Sequence, residues 1–339
     1  MLTTVSSTLR HKSVQCYENT INQLLSHFGP DKPIRKIGPE QAERFIVSRK
    51  LVHPAHIRKG KTLSAWGRNQ HLREASAIFS KAVTWGYLQQ NPFSTVKRVV
   101  EQGRRWHHII PSEFEAVLRV TPDYRTRAFY AAMYGCGLRS GEAINFLWNG
   151  RDIDFERGLV EVANRQGTAD IPPFLVKDHE LRCVPLPKWV QQLLLEAQAE
   201  ADEGCPFVFL TAERWQLVRA KWRGFQRESR AGMWKNTHVC NNILRDFKAR
   251  CRRAGIATSD KLTVHCLRKS YAQNLADAGT PIHTLKKLMG HSSVKTLECF
   301  YIRSSHANEA QARKVLDDLF PPESDGTPLR ANSALTKLS

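Results

Sequence analysis

Between His265 and Tyr301 the chain reads HCLRKSYAQNLADAGTPIHTLKKLMGHSSVKTLECFY, three short helical patterns cut by glycine-led turns. Val264, Leu267, Tyr271 and Leu275 recur at 3.6-type spacing, which leaves His265 and Arg268 together on a neighbouring face. Thr263 is the expected N-cap of this helix and Gly279 its stop. Thr280 as N-cap and Pro281 at the first helical position open a second helix through Ile282, Leu285 and Leu288, closed by a left-handed Gly290. His291 then falls on a corner, Ser292 or Ser293 caps a third short helix, and Tyr301 comes near its end. Two tight turns in so short a stretch fold the segments back, so side chains distant in sequence can converge.

An arginine, two histidines and a tyrosine together suit attack on a phosphodiester. Arginine presents a planar, permanently charged fork that matches two non-bridging phosphate oxygens. Imidazole donates to phosphate or moves a proton near neutrality. A phenol with a pKa of about 10 becomes a competent nucleophile when surrounding cations favour the phenolate. Singly, each residue has an ordinary reading: a solvated helix face for His265 and Arg268, a C-cap neighbour for His291, core for a tyrosine beside Phe300. Zinc on His265, His283 and His291 is the other alternative, but neither a Cys pair nor HExxH spacing accompanies them.

Taken in order, H-x-L-R at His265 to Arg268, L-M-G-H-S-S at Leu288 to Ser293, and a following tyrosine resemble the signature of the tyrosine recombinase (phage integrase) family. In that family the tyrosine follows the Gly-His histidine by nine or ten residues. Here Phe300 stands at nine and Tyr301 at ten, and only the latter carries a hydroxyl. Upstream, GCGLRSGE matches the family's G-L-R-x-x-E motif. The resemblance therefore implies Arg139 as a first catalytic arginine, with Glu142 holding an arginine in place rather than transferring protons. Lys177, seven residues before Val184 in a V-P-L-P strand, corresponds to the family's hairpin lysine; without that register it reads as a solvated turn residue.

Charge supports a polyanionic partner. The 339-residue chain has a formal net charge of +19, concentrated in two blocks. Residues 1–100 hold 16 Lys/Arg against 5 Asp/Glu, residues 213–253 hold 12 against 3, and the remainder is nearly balanced. Two solvated faces are the plainer reading of the same distribution. The eight cysteines include no C-x-x-C and read as reduced thiols, and no run approaches the length of a membrane span. A cytoplasmic, nucleoid-associated protein without membrane contact is expected.

The expected fold is mainly α with a small antiparallel β-sheet: an N-terminal helical, SAM-like core-binding domain at 1–93, a linker at 94–111, a C-terminal α+β catalytic domain at 112–320, and a disordered tail at 321–339. In the first domain, Val14, Tyr17, Ile21, Leu24, Leu25 and Phe28 form one stripe, and Ala42, Phe45 and Ile46 another. A long helix runs from Ser64 to Gln89 with Trp66, Leu72, Ala75, Ile78, Phe79, Ala82 and Leu88 inward. HPAHIRKGKT is a candidate backbone-contacting loop, and Lys97, Arg98, Arg104 and Arg105 in the linker suit a phosphate track. Ser112 with Glu115 reads as a capping box. LVEVA and RCVPLP read as paired strands around a VKDHELR hairpin, residues 188–201 as an amphipathic helix, and 305–320 as a terminal helix. In the second basic block the aromatics at Trp215, Trp222, Phe225, Trp234 and Phe247 are spaced for core packing rather than base stacking.

The resemblance implies site-specific cleavage and rejoining of double-stranded DNA by a homotetramer, through a 3′-phosphotyrosyl link at Tyr301. It assigns phosphate neutralisation to Arg139 and Arg268, general acid to Lys177, proton removal to His265 and a phosphate hydrogen bond to His291, with no cofactor or metal. It leaves room for accessory DNA-bending or directionality proteins. A type IB topoisomerase-like enzyme and a catalytically inactive DNA-binding regulator are the alternatives.

Overall fold

The structure is a computed structural model that describes residues 11–48, 63–100, 106–176, 181–235, 238–240, 242–291, 293–303 and 313. The chain divides into two compact units, Met1–Arg105 and Trp106–Ser339.

Among the described residues the first unit holds three helices, α1 (His11–Phe28), α2 (Pro39–Val47) and α3 (Ala65–Thr84), with a 3-10 turn at Ile34–Lys36. Pro39 occupies the first turn of α2, where its missing N–H costs nothing, and Ala42, Phe45 and Ile46 are buried as their spacing requires. Ser64 caps α3 by accepting from the Gly67 N–H. The helix ends at Thr84, short of the expected Gln89, because Gly86 turns into the left-handed region at φ +79°. Leu24, Phe45, Leu72, Phe79 and Phe93 form the core. Trp66 and Leu25, expected inward, are instead 54% and 45% exposed, while Leu24 on α1 and Leu72, Ala75 and Phe79 on α3 are buried. Past α3, Asn91 donates to the Ser76 carbonyl and to Ser80 Oγ, and Asn69 holds both the N–H and the carbonyl of Val99.

The second unit carries α4 (Pro111–Arg119), α5 (Tyr124–Gly135), α6 (Ser140–Ala143), the strands β1 (Ile153–Asp154), β2 (Leu159–Val162) and β3 (Arg182–Pro185), then α7 (Lys188–Ala199), α8 (Ala212–Arg227), α9 (Ile243–Arg253), α10 (His265–Asp277), α11 (Ile282–Met289) and α12 (Glu298–Arg303). The strands form one antiparallel sheet in the order β1-β2-β3, with Val160 opposite Val184 and Val162 opposite Arg182. This is the mainly helical architecture with a small antiparallel sheet that the sequence implies. The central helix is α5, buried without a break from Ala128 to Tyr134. Trp215, Trp222 and Phe247 are buried, and Phe225 and Trp234 pack edge to face, so the aromatics of the basic block serve the core.

Residues 106–110, expected as the end of a linker, pack within this unit. Ile109 is fully buried, its N–H donates to Ser270 Oγ, and the His107 N–H reaches the Lys261 carbonyl. The start of α4 differs from the expected Ser112–Glu115 box. Pro111 takes the first helical position, which moves the cap to Ile110, whose N–H donates to the Glu113 carboxylate. The HPAHIRKGKT loop, Arg104, Arg105, Lys177, most of the 305–320 segment and the 321–339 tail lie outside the described residues.

Candidate active site

Helix α6 is one turn long, and its first residues hold the site. The Glu142 carboxylate accepts from the Arg139 backbone N–H at 2.8 Å and from Arg139 Nη1 at 2.8 Å. It also accepts from Arg182 at 3.1 and 2.5 Å, and Arg268 Nη1 lies 3.9 Å from it. Three arginines, from the N-cap of α6, from β3 and from α10, therefore share one buried carboxylate. Burial alone raises a carboxyl pKa, but here the Arg182 hydrogen bond, the charges of Arg182 and Arg268 and the Arg139 N–H outweigh it, and Glu142 falls to about 2. Its ionised form is what keeps three like charges together, the holding role expected of it.

Arg139 is the partly exposed member. Its side chain is 19% exposed, and Nη2 donates to the Gly290 carbonyl at 3.2 Å. Arg268 lies wholly beneath the surface and donates to the carbonyls of Gly137 and Met289. Burial lowers its pKa to about 9, with Glu142 opposing and Arg139 and Arg182 adding to the fall; it remains charged at pH 7. Direct contact of Arg268 with an anion therefore needs the groups that cover it to shift. Without that shift it supplies charge from below. Gly137 (φ +62°) permits the arrangement, since a Cβ there would lie 2.4 Å from the Tyr271 ring.

α10 and α11 start one residue later than expected. Val264 and Pro281 are the residues flanking their N-termini, because the Cys266 N–H goes to the Thr263 carbonyl and the Leu285 N–H to that of Pro281. Gly279 and Gly290 turn left-handed, at φ +78° and +57°, as the spacing predicts. His265 opens α10 with an accessible ring. Partial desolvation, then the charges of Arg268, Lys269, Arg139 and His291, lower its pKa to about 4, so it is neutral at pH 7. Those four cations reach it from α6, α10 and the Gly290 corner, which brings the predicted histidines and arginines into one electrostatic neighbourhood.

At the corner, Ser293 caps the 3-10 turn Val294–Thr296, as one of the two expected serines. Thr296 Oγ1 sits 2.9 Å from His291 Nδ1 and donates to the Ser293 carbonyl at 2.9 Å. A hydroxyl has one proton, and a carbonyl can only accept. Nδ1 of His291 must then be the donor, which leaves Nε2 able to donate to a phosphate only as the imidazolium.

Tyr301 lies in α12, directly after the buried Phe300; its side chain is outside the described part of the structure, as is Lys177. The sequence reading missed Arg182. Its signal was parity: it falls on the same strand face as the buried Val184, where a basic residue demands a buried partner. Among the described residues no three His, Cys, Asp or Glu groups gather as metal ligands.

The model of the phage integrase family matches residues 109–308, a span that contains every one of these groups. The chain belongs to the phage integrase family. It is 25% identical over 265 residues to a tyrosine recombinase XerC-like protein of Caldanaerobacter subterraneus subsp. tengcongensis, covering 72% of this chain and 63% of that protein. The chain thus spans just under two thirds of that relative's length. In fold it is similar to the Tn1549 transposon integrase solved with a circular intermediate DNA, at a TM-score of 0.68 and 17% identity over 91% of this chain and 97% of that one. A lambda integrase solved as a tetramer on a Holliday junction matches at a TM-score of 0.60 and 16% identity, over 88% and 74% of the two chains.

Proposed function

We propose that this family member is a site-specific DNA recombinase that cuts and rejoins strands through Tyr301. The observation that supports it most is the shared Glu142, which draws Arg139 and Arg268 together beside the Gly290–His291 corner. A scissile phosphate at Arg139 would meet a fixed guanidinium, with the charge of Arg268 behind it. Both favour the extra negative charge of a pentacovalent transition state, the electrostatic contribution that dominates phosphoryl transfer.

Tyr301 Oη attacks phosphorus, the P–O5′ bond breaks, and a 3′-phosphotyrosyl link and a free 5′-hydroxyl result. Neutral His265 accepts the phenolic proton, either directly or through a water. Lys177 gives a proton to the leaving 5′-oxygen, and His291 hydrogen-bonds the phosphate as its imidazolium. Arginine neutralisation does the work that a divalent ion performs elsewhere, and the covalent link conserves the energy of the broken bond, so neither metal nor nucleotide is required. Double-stranded DNA is the substrate, and strand exchange between two duplexes calls for four protomers. Accessory DNA-bending proteins are compatible with this scheme.

A nicked suicide DNA substrate tests it. An SDS-resistant adduct that disappears in Tyr301→Phe supports the reading, and its absence from the unaltered protein excludes it in favour of a DNA-binding regulator. Relaxation of supercoils without any product joining two duplexes would identify a type IB topoisomerase instead.

A further inference from the structure

Gln273 is a buried amide on the helix that carries His265 and Arg268. It is 2% exposed, and its Nε2 donates to Asp277 Oδ1 at 2.8 Å and to the Phe300 carbonyl at 3.0 Å. Both partners can only accept, so the amide orientation is fixed. Its Oε1 has no hydrogen-bond partner among the described residues. An apolar side chain of similar size would fill this space without that desolvation cost. Packing alone therefore gives no reason for a glutamine here.

What the amide grips is the residue before Tyr301. The Phe300 N–H donates to the Leu297 carbonyl, and its ring packs edge to face on Trp106 at 5.9 Å and into the cluster of Tyr271, Leu285, Met289 and Leu297. Phe300 is held at its nitrogen, its ring and its carbonyl. The peptide plane that contains the Phe300 carbonyl also contains the nitrogen and Cα of Tyr301. Fixing that carbonyl fixes the base from which the Tyr301 side chain departs.

We propose that Gln273 is a positioning residue for the nucleophile: its bond to the Phe300 carbonyl references the Tyr301 backbone to the helix bearing His265 and Arg268. This rests on the reading of Tyr301 as nucleophile, and small displacements of a reacting group are costly, on the order of a hundredfold for about 1 Å.

The test uses the full chain with Gln273→Met, and Gln273→Glu as a second substitution of nearly unchanged volume should the first not fold. Single-turnover adduct formation on the nicked substrate is expected to fall about tenfold to a hundredfold, with DNA affinity within about twofold. The decisive readout replaces the tyrosine. In Tyr301→Phe, hydrogen peroxide supplied as nucleophile forms a new O–P bond at the same phosphorus while the P–O5′ bond breaks and the 5′-oxygen takes a proton. Adding the Gln273 change to Tyr301→Phe is expected to leave this peroxide cleavage unaltered. Undiminished adduct formation in the Gln273 variants overturns the proposal, as does an equal loss in peroxide cleavage, which would place Gln273 in support of the phosphate pocket. Failure of the Tyr301 reading shows separately, as an adduct that survives Tyr301→Phe with Gln273 intact.

Discussion

Arg182 Nη2 and Glu142 Oε2 lie 2.5 Å apart with both side chains 3% exposed, the most deeply buried pairing with an arginine on the Glu142 carboxylate apart from that of Arg268. Removing Glu142 would leave the charges of Arg139, Arg182 and Arg268 facing one another, so Glu142→Gln should destabilise the second unit by about 3–5 kcal/mol. The sign with pH follows from the depressed carboxyl. Its stabilisation is complete above the ordinary value of 4.5 and is lost as pH falls toward about 2. Denaturant titrations at pH 7 and pH 3 check both statements. Equal stability of the two proteins at pH 7 would refute the carboxylate's role as the counter-ion of the cluster.

His265 titrates in the opposite chemical sense but the same pH sense. Its folded pKa, about 4, lies below the ordinary 6.5, so the unfolded chain binds more protons between those values. The folded state is at full advantage above pH 6.5 and loses it progressively below. In its proposed role as proton acceptor for Tyr301, the ring should keep adduct formation nearly constant down to about pH 6, where an unperturbed imidazole would be more than half protonated. His265→Asn should slow the reaction by roughly a hundredfold or more. An NMR titration of the His265 ring with a midpoint at or above 6.5 would contradict this.

The helices around the site were legible because their signals are local. The left-handed glycines at 279 and 290, the buried faces of α2 and α10, and the β2–β3 pairing follow from spacing and from residues that only certain conformations accept. The caps of α4, α10 and α11 moved by one or two residues because backbone carbonyls and Pro111 competed with the expected side chains. The burial of Arg268 was not legible. Whether a helical arginine faces solvent or two carbonyls depends on Gly137 and Met289, which come from other segments. Arg182 and Gln273 escaped for the same reason, since each acquires its meaning only from a partner far along the chain.

Gly290 is under two constraints at once. Its φ of +57° disfavours any side chain, and a Cβ there would stand 3.1 Å from Arg182 Cδ and Nη1. Gly290→Ala should therefore cost roughly 1–2 kcal/mol from the backbone alone. It should also displace the carbonyls of Met289 and Gly290 that receive Arg268 and Arg139. A lower melting temperature together with slower adduct formation is the expected pair of results. Loss of stability with full cleavage activity would mean that these carbonyls do not set the arginine positions.

The double variant Phe300→Tyr with Tyr301→Phe moves the hydroxyl to the nine-residue spacing from His291. Sequence spacing alone would permit activity, since the family accommodates a tyrosine at either place. The structure argues otherwise, because the ring at 300 is 4% exposed and lies in the cluster with Met289 and Leu297 against Trp106. A phenol there would bury its hydroxyl among apolar groups at a cost of about 1–3 kcal/mol, and the Gln273 bond to the residue-300 carbonyl would hold it there. The double variant should bind the nicked substrate as the unaltered protein does and form no adduct. Covalent capture of DNA by that variant at more than a few per cent of the normal rate would show that α12 can rotate by a residue, and the buried placement of position 300 would no longer determine which hydroxyl attacks.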